Sequence, residues 1–160
     1  MDEDVQFIRP LNTLRKAKVG DGPAKLDTEA LARADAVVVK MTEKYSEWAK
    51  EDLAMMQAAI DTIRDNPAES GDALGQLRTI SFDMKGQGAT FGYGLITEIG
   101  DSLHRFVHDL QDASEFDLKV IVSHMESMKV VMAGEIRDDG GPAGRELLRE
   151  LHRLKEKAAG

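Results

Sequence analysis

DTEALARADAVVVKMTEKYSEWAKEDLAMMQAAIDTIRDNP, residues 27–67, decides the fold class. Its apolar side chains fall at Leu31, Ala34, Val38, Met41, Tyr45, Trp48, Leu53, Met56, Ile60 and Ile63. Steps of three to five residues suit an α-helix, or two stacked end to end, and not a strand. Asp27 stands where an N-cap belongs, Glu29 falls in the first turn, and Asn66-Pro67 ends the run. Val37-Val38-Val39 is β-branched but sits inside the helical period, as does Val130-Val131 further on.

The same period recurs outward from this stretch. A second helix is predicted over about 67–91, with Leu74, Leu77, Ile80, Met84, Gly88 and Phe91 on one side. Gly92-Tyr93-Gly94 reads as a turn. A third helix runs to about Ala113 with Leu95, Ile96, Ile99, Leu103, Phe106 and Leu110 in register. Ser114 is placed to cap a fourth, with Leu118, Ile121, Val122, Met125, Met128, Met132 and Ile136 inside. Asp138-Asp139-Gly140-Gly141-Pro142 breaks it, and a last helix carries Leu147, Leu148, Leu151 and Leu154. The methionines mostly fall at core spacing, where they fill irregular gaps. Short connections make successive helices antiparallel neighbours. The expectation is an all-α chain: an antiparallel up-down four-helix bundle over 27–160, core 45–138, with extra helical segments at both ends. Residues 1–26 read as a docking or flexible arm. They hold Pro10, Gly20, Gly22 and Pro23, a basic patch of Arg9, Arg15, Lys16 and Lys18, and scattered Phe7, Ile8, Leu11 and Leu14.

Composition narrows the function classes. The chain has 160 residues, 42% of them apolar, and no cysteine, so disulfides, thiolate metal sites and cysteine nucleophiles are excluded. Its 21 Lys and Arg against 29 Asp and Glu leave a net charge of −8, which argues against nucleic acid or a membrane surface as partner. The acidic start Met1-Asp2-Glu3-Asp4 is unlike a signal peptide. A cytoplasmic protein is expected.

One segment does not suit a plain bundle. Residues 78–94 read RTISFDMKGQGATFGYG, with Gly86, Gly88, Gly92 and Gly94 close together. A helix-interior glycine costs about 1 kcal/mol relative to alanine, so Gly86 and Gly88 suggest that something approaches closely. Projection at about 100° per residue puts Phe82 about 140° from Leu77, on the outer face. Around it fall Arg78 and Thr79 one turn before, Lys85 and Gly86 one turn after, and Ala89 beyond. Gln87 adds a polar group. The expected surface is an outward phenyl ring among small residues and two cations, on an otherwise acidic protein.

Phe82-Asp83-Met84-Lys85-Gly86 resembles the phosphorylation motif of histidine phosphotransfer domains, His-x-Leu-Lys-Gly. The small-residue run Gln87 to Gly92 and the apolar helix Leu95–Leu110 resemble the segments that come after the motif in that family. The similarity spans about 45–138 and is sharp over 78–95. It implies a cytoplasmic four-helix bundle of a bacterial two-component phosphorelay. Its partner would be the receiver domain of a response regulator, a histidine kinase, or both. By the same resemblance Lys85 is the lysine beside the phosphoryl group, and Gly86 leaves room for the partner. The departure is at Phe82, where the family has its phosphoacceptor histidine. A phenyl ring has no lone pair to attack an aspartyl phosphate. Asp83 points about 100° elsewhere. The chain thus reads as a docking protein without a catalytic residue at 82. Burial of the ring by a partner is worth up to roughly 1.5–3 kcal/mol. Two alternatives stand beside this: an active carrier that uses another histidine, or whose native histidine is replaced at 82, and a structural or assembly bundle.

Other chemistry is weaker. His104 and His108, at i and i+4, share a face and are expected in solvent, with His104 away from the level of Phe82. With Asp101 or Asp112 they fall short of a metal site, for want of ligands from a second helix. His124 and His152 are expected at the surface. No Glu-x-x-His of a di-iron bundle occurs. Gly86 to Gly92 lacks the preceding strand that a phosphate-binding loop needs. No metal or cofactor is implied, and the oligomeric state is left open.

Overall fold

In the computed structural model residues 27–160 are described. The predicted arm, residues 1–26, lies outside them. Contacts divide the chain into a unit that ends at Asp35 and a larger one, Ala36–Gly160. Five α-helices form: α1 (Thr28–Asp65), α2 (Ser70–Gln87), α3 (Gly94–His108), α4 (Glu115–Ala133) and α5 (Gly141–Ala159). Among the described residues there is no strand, and no helix is long and apolar enough to cross a membrane.

Helix ends follow from local chemistry, and two of them from tertiary contacts. Asp27 Oδ1 accepts the Glu29 and Ala30 N–H groups at 3.0 and 3.3 Å. Residues 28–65 are one helix, not two. Pro67 opens a 3-10 turn, Pro67–Glu69, which delays α2 to Ser70. Ser114 and Asp117 form a reciprocal capping box at the start of α4. α2 stops at Gln87 because the Thr97 hydroxyl enters its ladder. That oxygen accepts the Ala89 N–H at 2.8 Å and donates to the Lys85 carbonyl at 2.9 Å, so it stands in for the direct 85–89 bond. α3 stops at His108, short of the predicted Ala113. There the Arg78 guanidinium donates to the carbonyls of Val107, at 3.0 Å, and Leu110.

α2 and α3 are antiparallel, since Arg78 reaches Val107, Lys85 reaches Asp101 and Gly88 meets Thr97. They cross closely at Gly100, where a Cβ would lie 2.8 Å from the Lys85 nitrogen. α1 lies against α2, where Asp52 and Met55 share a groove with Thr79 and Asp83, and Tyr45 stacks on Phe91 in the 3-10 turn (Ala89–Phe91) just beyond α2, centroids 4.7 Å apart. It also lies against α4, where Leu53 and Ala54 share a groove with Met132 and Ala133. The core between these helices includes Met56, Ile60, Leu77, Met84, Ile99, Leu103, Ile121 and Met128. α5 packs on α3 and α4 and gives the core Leu151, with Leu147 and Leu148 partly covered. Met41 and Met55, unlike the core methionines, are exposed.

His124, expected at the surface, is buried on α4. Its Nδ1 donates to the Val120 carbonyl at 2.7 Å, and the Ser102 hydroxyl lies 3.0 Å from Nε2. The apolar spacing of α4 left one slot for it on the inner face, and these two partners satisfy it there.

Candidate functional site

The Phe82 ring stands on the outer face of α2 and is 58% exposed, as projection predicted. A Cβ at Gly86 would meet nothing within 4 Å, so this glycine leaves open space beside the ring. Gly88 has a different reason. Its Cβ would fall 2.8 Å from the Thr97 backbone nitrogen and the Tyr93 carbonyl, so α3 of this same chain is what approaches there. Ala89 is exposed, and Gln87 is half-buried. The Thr79 hydroxyl donates to the Gly75 carbonyl at 3.2 Å, and its residue lines the α1–α2 groove.

The expected pair of cations around the ring is not there as such. Arg78 turns away to cap α3. Lys85 binds Asp101, with Nζ 2.7 Å from Oδ1, and Arg105 holds the other oxygen at 3.0 Å. The hydrogen bond from Lys85, and after it that from Arg105, keeps the Asp101 carboxyl below the usual carboxylate range. The face is therefore charge-compensated: one apolar ring beside a bound lysine and a bare glycine.

His104 is the main correction. It is half-buried and stands at the level of Phe82, ring centroids 5.5 Å apart. The close crossing at Gly100 sets that register, since it brings residue 104 one turn along α3 opposite Arg78 and Ser81. His104 Nδ1 lies 3.2 Å from the Arg78 carbonyl and 3.5 Å from Ser81 Oγ. A carbonyl only accepts, so Nδ1 carries the hydrogen, which in the neutral ring leaves the lone pair on Nε2. The His108 ring lies tilted beside it, centroids 5.8 Å apart, and is exposed. His152 pairs with Glu156 on the surface of α5. No group of three or more metal-binding side chains forms among the described residues, and Asp101 is occupied by its two cations.

Three partners of this face were missed by sequence reasoning: Thr97, Asp101 and His104. All come from α3, and nothing in a helical period says which residues of the next helix will face a given turn. A groove of about 610 Å³ beside the face, between α1 and α2, was missed for the same reason. It brings Asp52 and Asp83 together, and burial, then Asp83, raises the Asp52 pKa.

Comparison with protein-family models, curated proteins and solved structures finds no match to this chain.

Proposed function

We propose that this chain is a signalling protein with a histidine-phosphotransfer-like four-helix bundle, α1 to α4, and α5 outside it. On this reading it docks the receiver domain of a bacterial response regulator, or a histidine kinase, without carrying phosphate at residue 82. The observation that carries the proposal is the exposed Phe82 ring with open space at Gly86 one turn on, at the positions of the motif's histidine and glycine. The antiparallel α2–α3 pair supports it, as does the placing of α1 between α2 and α4. The ring still has about half its surface to lose, so its burial is worth about half the 1.5–3 kcal/mol of a fully exposed phenylalanine.

Gly86→Arg tests the face cleanly, because its side chain enters open space and leaves the helix intact. It should weaken binding to isolated bacterial receiver domains by about tenfold or more in titration calorimetry. Lys85→Glu should do the same, with some loss of the Asp101 contact. Gly71→Arg, equally unhindered but at the start of α2, should leave binding unchanged. Equal affinity for Gly86→Arg and the parent would remove the surface assignment.

A second reading is favoured by the place of His104. With Nδ1–H held by the Arg78 carbonyl, Nε2 is a free nucleophile beside Phe82. It would attack the phosphorus of an aspartyl phosphate. The N–P bond forms, the P–O bond to the aspartate breaks, and the carboxylate leaves with the electron pair. Incubation with an acetyl-phosphate-charged receiver should then give an acid-labile adduct. The adduct should vanish in His104→Gln and persist in His108→Gln. A parent chain that stays unlabelled while still binding the receiver leaves the docking reading standing alone.

A further inference from the structure

At the end of α3, His104 and His108 share a face one turn apart, with ring centroids at 5.8 Å and ring planes tilted by 48°. Two histidines at i and i+4 on one helix face can chelate a single metal ion. Spacing alone leaves open which nitrogen of each ring is free. For His104, α2 settles it. The Arg78 carbonyl lies 3.2 Å from Nδ1 and takes that hydrogen, so in the neutral ring the lone pair is on Nε2. A metal-ligating histidine characteristically donates its other ring N–H to such an oxygen, which fixes the tautomer and makes the free nitrogen more basic. What α2 contributes is therefore not a third ligand but the oxygen that prepares one. The Phe82 ring, 5.5 Å away between centroids, packs beside the same imidazole, which is half-buried and so restrained.

We infer that His104 Nε2 and His108 chelate one divalent transition-metal ion, with water in its remaining positions. Neutral imidazole suits zinc, copper and nickel, whereas magnesium and calcium need oxygen ligands. The Asp101 carboxylate, one turn before His104, is engaged by Lys85 and Arg105. Metal–nitrogen bonds of about 2.0–2.1 Å at a tetrahedral angle put two ring centres about 5 Å apart. A small turn of the exposed His108 ring closes the pair to that distance. Structural zinc sites take four protein ligands, so a site with two is exchangeable. The inference needs no receiver and stands apart from the docking reading. It does exclude one use of the residue, since a metal on Nε2 takes the lone pair with which His104 would attack a phosphoryl group.

Titration calorimetry of the full chain with zinc chloride, above the ordinary imidazole pKa of about 6.5, tests this. One zinc ion should bind per chain, and magnesium should not compete for it. His108→Gln should lower zinc affinity about tenfold or more, because losing a ligand costs no less than losing the partner behind one. Its melting temperature without metal should be unchanged, since His108 is exposed. His152→Gln, at the exposed histidine that pairs with Glu156 on α5, should bind zinc as the parent does. In nitrogen NMR spectra of the imidazoles, zinc should shift Nε2 of His104 while Nδ1 keeps its hydrogen. A parent that takes up no zinc overturns the inference. So does an affinity indifferent to His108→Gln, one lost with His152→Gln, or zinc that replaces the hydrogen on His104 Nδ1.

Discussion

Phe82→His should turn residue 82 from a position that cannot hold phosphorus into one that does. The ring already stands in solvent beside the open side of Gly86, so the imidazole needs no rearrangement to be reached. Lys85 is one turn away and is held by Asp101 at 2.7 Å, which keeps its ammonium next to the site. Mixed with an acetyl-phosphate-charged receiver domain, the variant should form an acid-labile adduct located at residue 82 by mass spectrometry at neutral pH. The parent can form none there, so the expected change is from zero to a large fraction of the chain. Because the substitution is on the surface, melting should shift little. A variant that binds receivers as the parent does, yet never takes up label at 82, would show that the face docks without presenting residue 82 to the partner's active site. A variant that neither binds nor labels would remove the relay reading altogether.

The largest effect on stability is expected from acid, through His124. Burial, against a smaller opposing contribution from its bond to Val120, lowers its pKa from 6.5 to about 4. The folded chain therefore keeps His124 neutral where the unfolded chain protonates it. Its contribution is fully present above about pH 6.5 and is lost as pH falls toward 4. At about 1.36 kcal/mol per pH unit, the loss reaches about 3 kcal/mol. Urea denaturation at a series of pH values should show that slope. His124→Gln should flatten it, whatever the variant's own stability at neutral pH. A parent whose stability is level between pH 6.5 and 5 would mean that the imidazole is not shut away from protons. Asp52, whose pKa is raised, acts in the opposite sense, and Asp101, whose pKa is lowered, in the same sense as His124.

The elements themselves were legible because their signals are local. The spacing from Leu31 to Ile63 makes a helix wherever the chain sits, Ser114 with Asp117 caps α4 from four consecutive residues, and Pro67 and Gly140 interrupt helices by their own geometry. The exposure of Phe82 was legible too, since it follows from its angle to Leu77. The ends of α2 and α3 were misread, because Thr97 and Arg78 set them from a distance in sequence.

The surroundings of Phe82 show where the local signal stops. That Arg78 and Lys85 stand near a bare glycine is written in the chain. That Arg78 caps α3, that Lys85 is tied to Asp101, and that His104 rises to the level of the phenyl ring is not. Those three facts follow from one crossing, at Gly100, where the missing side chain lets α3 settle onto the backbone of Ser81 and Lys85 and so chooses the register between two helices. Helical periodicity reports which residues share a face of one helix. It carries nothing about axial offset between two, which close packing alone selects.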